Sequence, residues 1–228
     1  MKIPKKTALS LSIALSLLFP LSYVSADDDD GDDGNKTITI SLTNISTVVF
    51  TPPILALCRN KIAPIARVGA PASDLLEPLA ESGDTSGLAG LFGEHGCSFV
   101  AQSTPVLPGE TTTVELTGSK KSRLHVASML LPTNDGFIYT SGHKVKNIKK
   151  RVKLRLRSFD AGTEVNDELC GNIPGPQCGG EGFNPERTDH NFVRPHPGIQ
   201  NVGEVSAAQY NWGEPVAIVR VGSSDDDD

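Results

Sequence analysis

Hydrophobic and polar positions alternate with a period of two in several short stretches of the chain. In Lys36 to Thr43, Ile38, Ile40 and Leu42 interleave with Thr37, Thr39 and Ser41. Successive strand side chains leave opposite faces, so this stretch predicts a half-buried strand. Val48 to Thr51 pairs with it or continues it, and Pro52-Pro53, lacking N–H donors, stops the ladder. Ile54 to Leu57 is a short apolar stretch. Phe99 to Ser103 is a further strand candidate, Pro108-Gly109 marks a turn, and Thr111 to Thr117 is rich in β-branched residues. Arg123 to Leu131 is mostly apolar and reads as a central strand. Arg151 to Phe159 alternates again, with Val152, Leu154 and Leu156 on one face and Lys153, Arg155 and Arg157 on the other. Pro215 to Val221 makes a last strand.

Helical periodicity is confined to one region. Ala72 to Ser82 places Leu75, Leu76 and Leu79 on one face, with Ser73 as N-cap, Asp74 and Glu77 near the positive end, and Gly83 as terminator. Pro78 restricts this helix, because an interior proline removes a donor and clashes with the preceding turn. It must lie near the first turn, or the helix is short and bent. Leu88 to Phe92 makes a second short helix. Many strands with turn signals and few helices predict an all-β sandwich or barrel. The stretch from Asp160 to Asn211 is heavy in Gly, Pro, Asn and charge and reads as a long loop.

The N-terminus alters the compartment. Lys2, Lys5 and Lys6 precede a largely apolar run from Thr7 to Val24, closed by Val24-Ser25-Ala26. A basic head, an apolar middle and a small-residue exit are the parts of a cleavable signal peptide, here residues 1–26. Pro20 and the short run argue against a membrane anchor, and no later segment is apolar enough to span a bilayer. The expected location is secreted or periplasmic.

Removing the signal leaves 18 basic and 27 acidic residues, a net charge of −9. Ten of the acids lie in Asp27–Asp30, Asp32, Asp33 and Asp225–Asp228. Residues 27–35 and 223–228 are thus acidic tails on a nearly neutral domain spanning 36–222. Isolated Asp runs fix no coordination geometry and read as solvated ends. A domain of this length supports one substantial core. Cys58, Cys97, Cys170 and Cys178 suit disulfides in an exported protein. Four cysteines allow three pairings, which sequence alone cannot choose. Cys58–Cys97 and Cys170–Cys178 each bracket one irregular stretch and are favoured. None falls in a C-x-x-C pair, which argues against zinc.

Two acidic turns carry the main candidate chemistry. Pro132-Thr133-Asn134-Asp135-Gly136-Phe137 follows the strand ending at Leu131, and Phe159-Asp160-Ala161-Gly162-Thr163-Glu164 follows the strand ending at Ser158. If both strands leave on one edge, Asp135, Asp160 and Glu164 converge. Calcium takes six to eight oxygens in a tolerant geometry. The competing reading is three separate turn-capping acids.

The run Ala127 to Asp135 and the run Phe159 to Glu164 resemble the two signatures of the spondin N-terminal domain family. Ala70 to Gly83, Pro108-Gly109-Glu110 and the closing Trp212 to Val221 are similar to its other conserved-looking pieces, in order, over most of Ile38 to Val221. The resemblance implies an antiparallel C2-like β-sandwich with one bound calcium, and its acidic ligands carry over to Asp135, Asp160 and Glu164. Glu164 departs from the usual Asp, and Phe159 stands where animal members have Trp.

Eight bases crowd Lys144 to Arg157, with Lys149, Lys150, Arg151, Lys153, Arg155 and Arg157 as the candidate polyanion surface. A solvated strand face with edge-protecting lysines is the alternative. No aromatic residues interleave, so specific nucleic-acid recognition is not expected. The chain has no G-x-S-x-G, H-E-x-x-H or P-loop. A metal hydrolase centred on His190 and His196 is the weakest reading. The residues point to a non-catalytic, calcium-carrying binding module for a cell-surface or matrix protein. A binder of acidic polysaccharide is the alternative. Oligomeric state is not legible.

Overall fold

Arg123–Leu131 is buried along almost its whole length, because it is covered on both faces. The computed structural model describes residues 34–140, 142–145, 152–186, 189 and 191–223. Within them the chain forms β1 (Lys36–Asn44), β2 (Val49–Phe50), β3 (Ile54–Cys58), α1 (Leu76–Ser82), α2 (Ser86–Glu94), β4 (Ser98–Ala101), β5 (Thr111–Gly118) and β6 (Arg123–Leu131). It continues with β7 (Gly136–Tyr139), β8 (His143–Lys144), β9 (Val152–Leu156), β10 (Ser158–Asp160), β11 (Arg194–Pro195), α3 (Ala207–Tyr210) and β12 (Ala217–Ser223).

The strands form two antiparallel sheets. One has four strands in the order β5-β1-β12-β9. The other has eight, running β11-β10-β7-β6-β3-β4, with β2 and β8 also paired to β6. Alternation sets which side chains meet between them. Ile38, Ile40 and Leu42 of β1, Val219 and Val221 of β12 and Leu116 of β5 pack against Leu55, Leu57, Leu124, Val126 and Ile138 of the larger sheet. Full burial of each such side chain contributes roughly 1.5–3 kcal/mol. The opposite face of the larger sheet is covered by the helices: Leu76, Leu79, Leu88 and Phe92 meet Ile54, Ala56, Ala127 and Phe137. The all-β sandwich expectation therefore holds, with the two short helices as a third layer.

Local details refine the sequence expectations. α1 starts at Leu76, so Pro78 falls in its first turn, where its missing N–H costs nothing. Ser73 is not the N-cap. Its hydroxyl instead donates to the Ile65 carbonyl at 2.8 Å, and Leu75 occupies the cap position. Gly83 terminates the helix at φ 72°. Gly136 and Phe137 are not turn residues but begin β7, which forms a hairpin with β6. Arg151 to Phe159 is not one strand. β9 lies in the four-stranded sheet, and the chain passes at Arg157 to β10 in the other. The long stretch after Asp160 holds a 3-10 turn at Cys170–Asn172 as well as β11 and α3. Ile173, Ile199 and Val205 seal it against Met129 and Leu131.

The disulfides are Cys58–Cys97 and Cys170–Cys178, the favoured pairing. The first closes the segment between β3 and β4 that carries both helices. Bridges of this kind belong to an oxidising, extracellular or periplasmic environment. No helix among the described residues is long and apolar enough to cross a membrane. The signal segment and both Asp-rich tails lie outside the described residues.

His125 projects from β6 toward the helices, 3% exposed, with its ring 5.5 Å from that of Phe92. Burial, then nearby Arg123, lowers its pKa from 6.5 to about 4. The unfolded chain therefore binds more protons between those values, and stability should fall as pH drops through that window. The loss is on the order of 3 kcal/mol when complete. Urea unfolding from pH 7 to 4 should show this slope, and His125→Gln should flatten it.

Candidate metal centre at the sandwich rim

The hairpin between β6 and β7 and the exit of β10 meet because β10 pairs with β7, with Asp160 opposite Gly136. The Ala161 N–H then donates to the Asp135 carbonyl at 3.2 Å. Local chemistry shapes each turn. The Thr133 hydroxyl donates to the Leu130 carbonyl and accepts the Gly136 N–H at 2.9 Å, folding the hairpin tip back on itself. Asn134 donates to Asp167 at 2.9 Å, and Asp167 accepts in turn from Asn172 inside the short disulfide loop. Gly162 has φ 72°, and a Cβ there would lie 2.3 Å from the Phe192 carbonyl oxygen. Only glycine suits that site.

This packing brings Asp135, Asp160 and Glu164 to one buried rim, with 0%, 0% and 1% exposure. Asp135 Oδ2 accepts the N–H groups of Thr163 at 2.8 Å and Glu164 at 3.1 Å. Its Oδ1 is buried and has no hydrogen-bond partner. Burial, followed by repulsion from Asp160, pushes the Asp135 carboxyl up to about 7. Asp160 is also raised, chiefly by burial. Its Oδ1 accepts from the Gly162 N–H at 2.8 Å, and its Oδ2 accepts from Asn166.

Two residues not singled out as candidates complete the site. Arg194 on β11 places Nη2 2.9 Å from Asp160 Oδ2 and 2.6 Å from Asp189 Oδ2. This guanidinium is an internal cation beside the acids. Nothing in the local run Phe192-Val193-Arg194-Pro195 marks it for that role; the β10–β11 pairing alone brings it there. Asn166, in the polar stretch after Glu164, is the second.

His196 lies against the same hairpin, with its ring 5.1 Å from that of Trp212. The Gly198 N–H donates to its Nδ1 at 3.0 Å, which leaves the ring proton on Nε2. A protonated Nε2 has no lone pair for a metal. Burial, then Arg194, lowers its pKa to about 3. His190, its partner in the hydrolase reading, lies outside the described residues.

The donor set fits a hard cation in part. Three buried carboxyl groups, one with an orphaned oxygen, supply the oxygen chemistry that calcium requires. Against this, Asp160 Oδ2 is already shared by Arg194 and Asn166. Among the described residues no group of three or more His, Cys, Asp or Glu is drawn together in a form that could hold a metal ion. Of the basic candidates, Lys149, Lys150 and Arg151 lie outside the described residues. Lys153 and Arg155 are exposed on β9, in the other sheet from the acids, and Arg157 is exposed just beyond it, three positions before Asp160.

No family model matches the sequence, and no curated protein matches it.

Gly162→Ala should cost roughly 2–4 kcal/mol, because it combines a left-handed backbone with a clash against main chain. Urea denaturation measures the loss. A cost below about 0.5 kcal/mol, within the range of an ordinary surface substitution, would mean that the Gly162–Phe192 contact is not rigid.

Proposed function

We propose that this chain is an exported, non-catalytic β-sandwich module of the spondin N-terminal type. In this reading a calcium ion staples the rim loops and fixes their shape for a cell-surface or matrix partner. The observation that carries it is Asp135 Oδ1, a buried carboxylate oxygen without a hydrogen-bond partner beside a second buried carboxylate. An uncompensated buried charge of this kind is costly, and a divalent cation offsets it. Asp135, Asp160 and Glu164 would hold the ion. Its contribution is electrostatic and structural, stabilising the folded state by mass action. Arg194 and Asn166 would have to release Asp160 Oδ2 as it binds.

Calorimetric titration of calcium into the mature protein should show one site. Saturation at a hundredfold excess over Kd should add about 2.7 kcal/mol of stability, read as a rise in Tm that a chelator reverses. Asp135→Asn should abolish the heat and the shift. A folded protein that takes up no calcium defeats the proposal.

Arg194 and the ion compete for the same acid. Arg194→Gln should therefore tighten calcium binding roughly tenfold, the equivalent of one charge pair worth about 1.4 kcal/mol, and should lower stability in chelator. An affinity that weakens instead would make Arg194 a support of the site.

The pH dependence of the calcium-free protein has a defined sign. Asp135 titrates at about 7 when folded, against a reference of 3.8. The folded state then binds the extra proton between these values, and this group's contribution to stability falls as pH rises through them. In chelator, Asp135→Asn should remove that decline, leaving the mutant at least as stable as the parent at pH 8.

A further inference from the structure

The four-stranded sheet has an outer face that no other element covers among the described residues, and its polarity is uneven. Lys153 and Arg155 point outward from β9, since Val152, Leu154 and Leu156 turn toward the core. Arg157 is exposed one alternation further along. Alternate residues of a strand lie roughly 6.7 Å apart, which sets the spacing of Lys153 and Arg155, and Arg157 follows just past the end of β9. Arg220 of β12, also exposed, is the register partner of Lys153 and widens the row into a patch.

None of these four side chains has a carboxylate partner among the described residues. The outward acid of this sheet is Glu115 on β5, separated from β9 by β1 and β12. Hydroxyls and the half-buried Ile218, register partner of both Arg155 and Thr43, lie between. Ser41 is the register partner of Arg220, and Thr113 is the partner of Ser41. The Thr43 and Thr111 hydroxyls already bond each other at 2.8 Å. No aromatic residue occurs in β1, β5, β9 or β12. The face thus offers spaced cations and a hydroxyl field but no stacking platform.

We propose that this face binds an acidic polysaccharide, whose sulfate or carboxylate groups seat on Lys153, Arg155, Arg157 and Arg220 while its sugar hydroxyls meet Ser41 and Thr113. Edge protection alone accounts for a lysine on a border strand. It does not account for Arg220, which lies on an interior strand and joins the row from the neighbouring ladder. Arginine suits both anionic groups through paired N–H donors. The missing aromatic surface disfavours single-stranded nucleic acid, whose sequence-tolerant binding relies on base stacking.

The test measures binding of the mature protein, in chelator at 50 mM salt, to heparin, to polygalacturonate and to an oligo-dT of matched charge. At least one of the two polysaccharides should bind, and more tightly than oligo-dT. Affinity should fall steeply as salt rises. A Lys153→Glu, Arg155→Glu double variant should lose at least tenfold, and Arg220→Gln severalfold. Both variants should keep the parent Tm, which excludes a folding defect. Comparison of the two polysaccharides distinguishes sulfate from carboxylate as the group recognised. Failure of both to bind, retention of full affinity by the double variant, or equal affinity for oligo-dT would each overturn the proposal. None of these outcomes bears on calcium uptake at the rim.

Discussion

The carboxylate of Asp135 is the constraint around which the rim is organised. It sits at the tip of the β6–β7 hairpin with no exposure to water, so every favourable contact must come from the protein. One oxygen gathers two N–H groups from the loop after β10, and its carbonyl accepts a third from the same loop. These bonds fuse two segments far apart in sequence, the two carboxylate bonds spanning 28 and 29 positions. They also create a demand, because backbone dipoles alone do not neutralise a buried charge placed next to another. Arg194 meets part of that demand. Reaching Asp160 and Asp189 at once, it draws the chain around β11 against β10 and orders a stretch poor in apolar residues.

The sandwich makes such a site affordable. Both faces of β6 are covered, one by the other sheet and one by α1 and α2. The many side chains buried there each contribute on the scale that one poorly compensated acid costs. The acids then stand at strand ends, where the ladder stops and carbonyls and carboxylates turn away from the sheet. The two hairpin-like exits are held from outside as well. Asp167 links Asn134 to Asn172 within the Cys170–Cys178 loop, so the short disulfide acts through a hydrogen-bond chain on the geometry of the acidic tip.

Alternation revealed β1 and β9, since a period of two against a buried face leaves a clear trace, and β-branched content revealed β5. It failed where strands are short or buried on both sides. β7 was hidden because Gly136 and its neighbours carry turn chemistry, and four residues are too few to establish a period. The break at Arg157 left only a small trace, one slip in the alternation where Arg157 and Ser158 are consecutive polar residues. Ser73 looked like a cap because serine favours caps, but the Ile65 carbonyl, eight positions earlier, takes its hydroxyl. At the rim, the acidic residues were legible from their strand-exit positions. Arg194 and Asn166 were not, since only tertiary pairing gives them a role.

The two charged regions of the molecule obey different physics. At the rim, charge is buried, poorly screened and expressed as stability and shape. Along β9 and β12 it is exposed, expressed as attraction at a distance and weakened by salt. The rim is built at the end of the larger sheet, from β7, β10 and β11. The cationic row belongs to the smaller sheet, from which the chain passes to β10 at Arg157. A change at Asp135 can therefore reach the row mainly by way of global stability. A change at Lys153 or Arg155 leaves the buried hydrogen bonds of the rim in place. If a cation and a polyanion both bind this domain, their effects should combine additively, because no shared side chain lets one bias the other.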